Sequence, residues 1–272
     1  MYVGVFFIMH IKDITSKDNL IFKMIKTLGK KKGRDESGLY LIEGSRLLEE
    51  AINHRVELQY VVINENTDLS MENLDCQILR VTNNMFKDIS DTVTPQGIIG
   101  VAKQISTSLE DLTLPLKPLI IILNGIQDPG NLGTIIRTAA AAKATAVILT
   151  EETVDLYNPK VIRSTMGAVF QIPIIYGLDD KEIINWLEEN NINILVADVN
   201  AKQYYFTANL EEAVALVIGN ENKGPSAKWK SVAGEKIKIP ILGDTESLNA
   251  SVAAGILIYD VIRQRSNEKS NI

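Results

Sequence analysis

Hydrophobic positions along the chain follow two textures. From Leu39 onward, short apolar runs alternate with polar turns. LYLIEG (39–44), LQYVVI (58–63), QILRV (77–81) and IIGVAKQI (98–105) read as strands. Residues 46–53 carry Leu47, Leu48, Ala51 and Ile52 at helical spacing, residues 83–89 predict a second helix, and Pro95-Gln96-Gly97 predicts a turn. Together they predict a small α/β domain over 38–105. Residues 106–117 are polar, contain Pro115 and run into Pro118, which reads as a linker.

Beyond Leu119 the runs become nearly continuous. LIIIL (119–123), AVILT (146–150), FQIPIIY (170–176), INILVADV (192–199), VALVIG (214–219) and IKIPIL (237–242) are separated by helical stretches. Strands buried on both faces lose the polar alternation, so this pattern predicts an α/β fold with a mostly parallel sheet and helices on both faces. Asn158-Pro159 and Asp179-Asp180 supply N-terminal caps and first-turn residues for two of the helices.

The ends are read separately. Residues 1–37 form an extension with a basic segment, and 118–272 the main domain. The apolar Tyr2–Met9 stretch is far shorter than the roughly 20 residues a membrane helix needs. It lacks the charged n-region and cleavage site of a signal peptide. It reads as a first strand or as an extension upstream of a start at Met9; the polar segment following Met9 fits the second. The tail after Arg265 is expected to fray.

Composition narrows the chemistry. A net charge of −6 excludes a generally basic nucleic-acid coat. Yet residues 23–34 hold six of the chain's 28 Lys and Arg (Lys23, Lys26, Lys30, Lys31, Lys32, Arg34) and no acid. Such a run is either a solvated face or a phosphate-facing patch. One cysteine, Cys76, excludes a disulfide framework and a cysteine-based zinc or iron–sulfur site. His10 and His54 leave little for a histidine metal centre. The chain suits a reducing cytoplasm.

Three loops follow strands of the main domain, at the edge where open α/β sheets bind ligands. NGIQDPGNLGTIIR (124–137) is a Gly/Pro-rich turn leading into a helix near Asn131. That helix carries an apolar face of Ile135, Ala139 and Ala142 and a second face of Thr134, Arg137, Thr138 and Ala141. Arg137 is a surface cation or a phosphate clamp. GNENKGP (219–225) brings one acid, Glu221, to the edge: a solvated turn or a ligand loop. IPILGDTESLNASVAAGILIYDVIR (239–263) predicts a helix capped by Ser247, with an apolar stripe of Leu248, Val252, Ile256 and Tyr259. It is a core helix unless the polar pair Ser247 and Asn249 serves a site. The loops offer no Cys nucleophile, no Ser/His/Asp set and no metal cluster, so covalent and zinc chemistry are disfavoured. Transfer between two bound substrates, catalysed by positioning, suits them better.

Asn131-x(5)-Arg137, IGNENKGP (218–225) and IPILGDTESLNASVAA (239–254) resemble, in order and spacing, the three motifs of the SpoU-type RNA 2′-O-ribose methyltransferases of the SPOUT superfamily. LIEGSRLLEEA (41–51) and TPQGIIGVAK (94–103) resemble that family's RNA substrate-binding domain. The resemblance implies methyl transfer from S-adenosyl-L-methionine to a ribose 2′-hydroxyl of structured RNA, a deep C-terminal trefoil knot, exceptional among folds, and a homodimer without membrane association. It implies cofactor binding at Gly219, Ile239 and Leu248, a catalytic Arg137, and Asn131, Glu221, Ser247 and Asn249 as the remaining polar motif positions. A guanidinium hardly deprotonates, so Arg137 is read as gripping a phosphate and steadying oxyanion character. The hydroxyl proton leaves to water, phosphate or a carboxylate. Lys30, Lys31, Lys32 and Arg34 then become RNA contacts. The appended first domain favours ribosomal over transfer RNA as substrate. The competing class is an RNA-binding or assembly protein of the same fold without turnover. The motif arginine and Ser-x-Asn pair argue for turnover. A Rossmann-type nucleotide enzyme fails for want of its glycine fingerprint.

Overall fold

The computed structural model describes residues 11–68 and 74–267. The Tyr2–Met9 reading, the choice of start and the last residues of the tail lie outside them. Contacts divide the chain into two units, one of Met1–Ile105 with Tyr157–Arg163, the other of Ser106–Leu156 with Ser164–Ile272.

The first unit is built from β1 (Ile11–Ile14), α1 (Leu20–Thr27), α2 (Lys31–Ser37), β2 (Leu39–Glu43), α3 (Ser45–Asn53), β3 (Leu58–Asn64), β4 (Gln77–Val81), α4 (Asn83–Ile89) and β5 (Ile98–Lys103). Its five-stranded sheet has the order β1-β4-β3-β5-β2. Here the structure corrects the boundary at residue 37. β1 pairs in parallel with β4, so the domain's edge strand precedes the basic segment. Phe22, Ile25 and Leu28 from α1 join Ile14, Leu41, Leu79 and Phe86 in one core. Asn19 starts α1 by accepting from the backbone N–H of Ile21 and Phe22, a cap that contributes about 1 kcal/mol. The lysines masked this helix, because its apolar positions sit between them. α1 and α2 meet closely at Gly33, where a Cβ would lie 2.3 Å from the Thr27 carbonyl oxygen.

Tyr157–Arg163 folds with this unit. The Tyr157 ring lies 4.5 Å from that of Tyr40, its hydroxyl exchanges hydrogen bonds with the backbone of Ile105, and Arg163 pairs with Asp91 at 2.8 Å.

The second unit runs β6 (Leu119–Asn124), α5 (Pro129–Ala141), β7 (Ala146–Thr150), α6 (Pro159–Ser164, mostly counted with the first unit), β8 (Ile174–Leu178), α7 (Asp180–Glu189), β9 (Asn193–Ala197), β10 (Gln203–Tyr204), β11 (Val214–Gly219), α8 (Ala227–Val232), β12 (Glu235–Lys238) and α9 (Ala250–Asn267). Its seven-stranded sheet has the order β10-β12-β9-β11-β6-β7-β8, with every pairing parallel. β6 and β11 are buried along their whole length, as continuous apolar runs require. Residues 106–117 are not a free linker: Leu109 is 3% exposed in the main core, with Leu112 and Leu114 packed on it.

Two strand expectations shift at proline. In FQIPIIY, residues 168–170 form a 3-10 turn and the strand starts at Ile174, after Pro173. In IKIPIL the strand is Glu235–Lys238, ending before Pro240, which has no N–H for a ladder. α9 is anchored at its far end. Arg265 donates to the carbonyls of Lys117, Pro118, Leu210 and Glu212.

Candidate functional site

The three loops meet through side-chain hydrogen bonds. Asp128 caps α5 by accepting from Asn131 N–H at 2.7 Å. This places the Asn131 side chain in the helix's first turn, 8% exposed. Its amide nitrogen donates to Glu221 at 3.0 Å, and its amide oxygen accepts from Asn249 at 2.9 Å. Glu221 also accepts from the backbone N–H of Gln127 and Asp128, each at 3.2 Å. Burial alone would raise the Glu221 carboxyl. The donors from Asn131, Gln127 and Asp128 outweigh it and hold the carboxyl below its ordinary range. Glu221 is therefore an ionised brace and a poor proton acceptor.

Asn249, not Ser247, starts α9. Its side chain accepts from the N–H of Ser251 at 2.9 Å and of Val252 at 3.3 Å. Ser247 lies outside the helix, where its carbonyl accepts from Thr245. The apolar stripe also moves. Ala250, Ala254, Leu257, Ile258 and Val261 are buried, whereas Val252 and Tyr259 are each 51% exposed. The helix carries apolar residues on more than one face, and the face with the small residues Ala250 and Ala254 is the one that meets the core.

The loop after β11 folds tightly on itself. A Cβ at Gly219 would sit 2.0 Å from the Pro225 nitrogen, so glycine is demanded by the loop's own backbone. Asn220 accepts from the N–H of Asn222 and Lys223 and donates to the Gly125 carbonyl at 2.8 Å. Sequence reasoning missed this pin between the first two motif loops.

Beside the brace lies a cleft of about 290 Å³, lined among others by Asp198, Gly219, Glu221, Ser247, Leu248 and Ala253. A smaller recess of about 70 Å³ shares Asp198, Val199, Ser247, Leu248 and Ala253 and adds Ile237, Ile239, Ile241 and Leu257. Gly219 lines the cleft, Ile239 the recess and Leu248 both, so the two compartments share a wall and form one hollow. Asp198 and Lys230, also on its wall, were missed. Their signal was an acid directly after the strand at 193–197, at the ligand edge.

Arg137 stands apart from the brace. It is exposed on α5 beside Thr134, with Ile135 and Ala139 buried on the other face. Among the described residues it has no hydrogen-bond or ion-pair partner. Of the basic segment, Lys30, Lys31 and Lys32 are exposed, and among the described residues only Lys32 of these three reaches an acid, Glu36 at 3.7 Å. Lys23 and Lys26 are matched by Asp18 and Asp88. Arg34 corrects the expectation: it is 3% exposed and donates to the Leu28 carbonyl at 2.7 Å. It holds the α1–α2 turn and does not face solvent.

A parallel sheet whose C-terminal edge carries a glycine-bound loop, an amide–carboxylate brace and an apolar hollow defines a ligand-binding α/β enzyme. The SpoU rRNA methylase family model matches residues 118–259, and an MRM3-like substrate binding domain matches 19–100. The chain belongs to the SpoU methylase family. It is 31% identical over 251 residues, 91% of this chain and 98% of the other, to a Bacillus subtilis 23S rRNA (guanosine(2553)-2'-O)-methyltransferase. It superposes on the crystal structure of an RNA 2'-O ribose methyltransferase at 33% identity and a TM-score of 0.80, covering 94% of this chain and 100% of that one. An AdoMet-bound rRNA methyltransferase from Sinorhizobium meliloti matches at 30% identity and a TM-score of 0.84, covering 93% and 98%.

Proposed function

We infer that the protein is an S-adenosyl-L-methionine-dependent methyltransferase acting on a ribose 2′-hydroxyl of ribosomal RNA. The observation carrying this reading is the Glu221–Asn131–Asn249 brace beside the hollow of Gly219, Ile239 and Leu248. The apolar recess suits a purine. The polar wall of the larger cleft suits the ribose and amino-acid parts of the cofactor. When bound, the cofactor supplies a methyl group on a sulfonium, an electrophile that needs no metal.

The chain's own residues position the reaction. Asn131, Glu221 and Asn249 use their hydrogen bonds on one another and fix the loops, so they are positioning residues. Arg137 keeps its planar fork free for an RNA phosphate and for oxyanion character on the attacking oxygen. The proton of that hydroxyl goes to water or phosphate, since the donors around Glu221 lower its pKa and leave it a weak base. Ser247 lines the cleft wall. Lys30, Lys31 and Lys32 hold RNA phosphates through the first unit.

A homodimer belongs to the same reading, supported by the exposed Val252 and Tyr259 on α9. So does a trefoil knot, supported by β12 lying between β9 and β10 out of chain order. So does a cytoplasmic location; no helix among the described residues is long and apolar enough to cross a membrane. The test is ribose-methylation mapping of total RNA from a deletion strain against its parent. A lost 2′-O-methyl mark in ribosomal RNA is the expected result. A mark lost only from transfer RNA would move the substrate, and no lost mark would support a non-catalytic RNA-binding role.

A further inference from the structure

The hollow contains one deeply set ion pair. Asp198 follows β9 directly, and its side chain is 9% exposed, against 29% for Lys230, whose ammonium lies 3.0 Å away. The second carboxylate oxygen accepts from Asn200 N–H at 3.0 Å. These two bonds use about half of a carboxylate's roughly four acceptor sites. Burial pushes this carboxyl up, but Asn200 and Lys230 outweigh it and keep the group ionised. A buried ion pair is weak as a stabilising device, because desolvation offsets its attraction. Neither the three motifs nor the brace involves it.

Its position selects a ligand group. Asp198 lines both compartments, the apolar recess with Ile237, Ile239 and Leu257 and the larger cleft with Gly219 and Ser247. In a nucleoside cofactor the ribose is the part joining the purine to everything else. A purine in the recess therefore brings the ribose to the junction where Asp198 stands. We propose that the Asp198 carboxylate, held by Lys230, accepts hydrogen bonds from the hydroxyls of the cofactor's ribose and selects ribonucleoside over deoxyribonucleoside ligands in this cleft. The assignment rests on the methyltransferase reading. Asp198 is here a specificity-determining residue and takes no part in the proton transfer.

The test is calorimetric binding to the full-length protein, without RNA or turnover. S-adenosylhomocysteine is compared with its 2′-deoxy and 3′-deoxy analogues. A hydrogen bond to a charged acceptor predicts that wild type binds at least one analogue about tenfold or more weakly. Asp198→Ala should bind S-adenosylhomocysteine more weakly by a similar factor and lose the discrimination. Asp198→Asn, which keeps the side-chain shape, is measured alongside and should show the discrimination reduced. Failure of wild type to bind S-adenosylhomocysteine would sink the cofactor reading itself. Binding with equal affinity for all three ligands would overturn the Asp198 assignment alone, and this comparison needs no variant. Full discrimination retained in a folded Asp198 variant would also overturn it.

Discussion

At the residue scale, the decisive contrast is between braced and free side chains. Arg137→Ala should abolish methyl transfer while leaving the calorimetric affinity for S-adenosylhomocysteine unchanged, because Arg137 is not among the residues lining the hollow. Arg137→Lys should stay slow across the pH range, since an ammonium keeps the charge but loses the fork. A rate climbing steeply at high pH would instead favour a general base. Glu221 makes the opposite prediction. Its carboxyl is held below its ordinary 4.5, so its stabilising contribution is present above that value and is lost as pH falls through the folded one. Glu221→Gln should lower the unfolding free energy at pH 7 and flatten its decline below pH 4.5, as read by denaturant titration. Cys76 is governed by burial, then by repulsion from Asp75, which push its thiol up to about 11. Alkylation by iodoacetamide should be slow at pH 8 and accelerate only as pH approaches that value. The motif residues were legible from the chain because each is a distinctive type at a distinctive spacing. Asp198 was overlooked, because an acid directly after a strand at the ligand edge is a weaker signal than a motif of fixed spacing.

At the element scale, what was legible depended on how apolar positions were framed. AVILT and VALVIG returned with the expected ends as unbroken apolar runs, and residues 83–89 form the predicted helix, with Met85, Phe86 and Ile89 buried at helical spacing. α1 and α2 were obscured by lysines, although α1 buries Phe22 and Ile25. In α9 apolar residues lie on several faces, so periodicity alone did not tell which one is buried. The same helices separate two kinds of basic residue. Replacing Lys30 and Lys31 by Ala should weaken RNA binding and reduce the log–log salt slope by roughly 0.7–0.9 for each lost phosphate contact. Arg34→Ala should instead lower thermal stability, as its guanidinium serves the Leu28 carbonyl from inside the fold. An unchanged salt slope for the lysine variant would return the segment to a solvated face.

At the scale of the whole molecule, the two-unit organisation was legible from the change of texture near Leu119, but its borders were not. Residues 11–37 are drawn into the first unit by β1 pairing across the sheet with β4, a long-range contact that no local pattern announces. Residues 106–117 are drawn into the second by Leu109. A fragment starting at Ser106 should therefore bind S-adenosylhomocysteine with affinity close to that of the full chain. One starting at 118 should be less stable by about 2 kcal/mol, the worth of one buried leucine. Equal melting temperatures for the two would show that 106–117 contributes nothing.

The order in which the hollow's walls occur along the chain has a consequence for biosynthesis. Asp198 comes first, then 219–225, then 239–250, and Arg265, near the end of α9, bonds the carbonyls of Pro118 and Leu210. Synthesis runs from the N-terminus, and domains fold largely in that order. A nascent chain that has exposed β11 but not Ala250 owns the glycine loop without Asn249 to complete the brace. The first unit is thus finished while the hollow proposed for the methyl donor has no closing wall. On the proposed reading, cofactor capture awaits synthesis of the 239–250 wall and comes late in maturation.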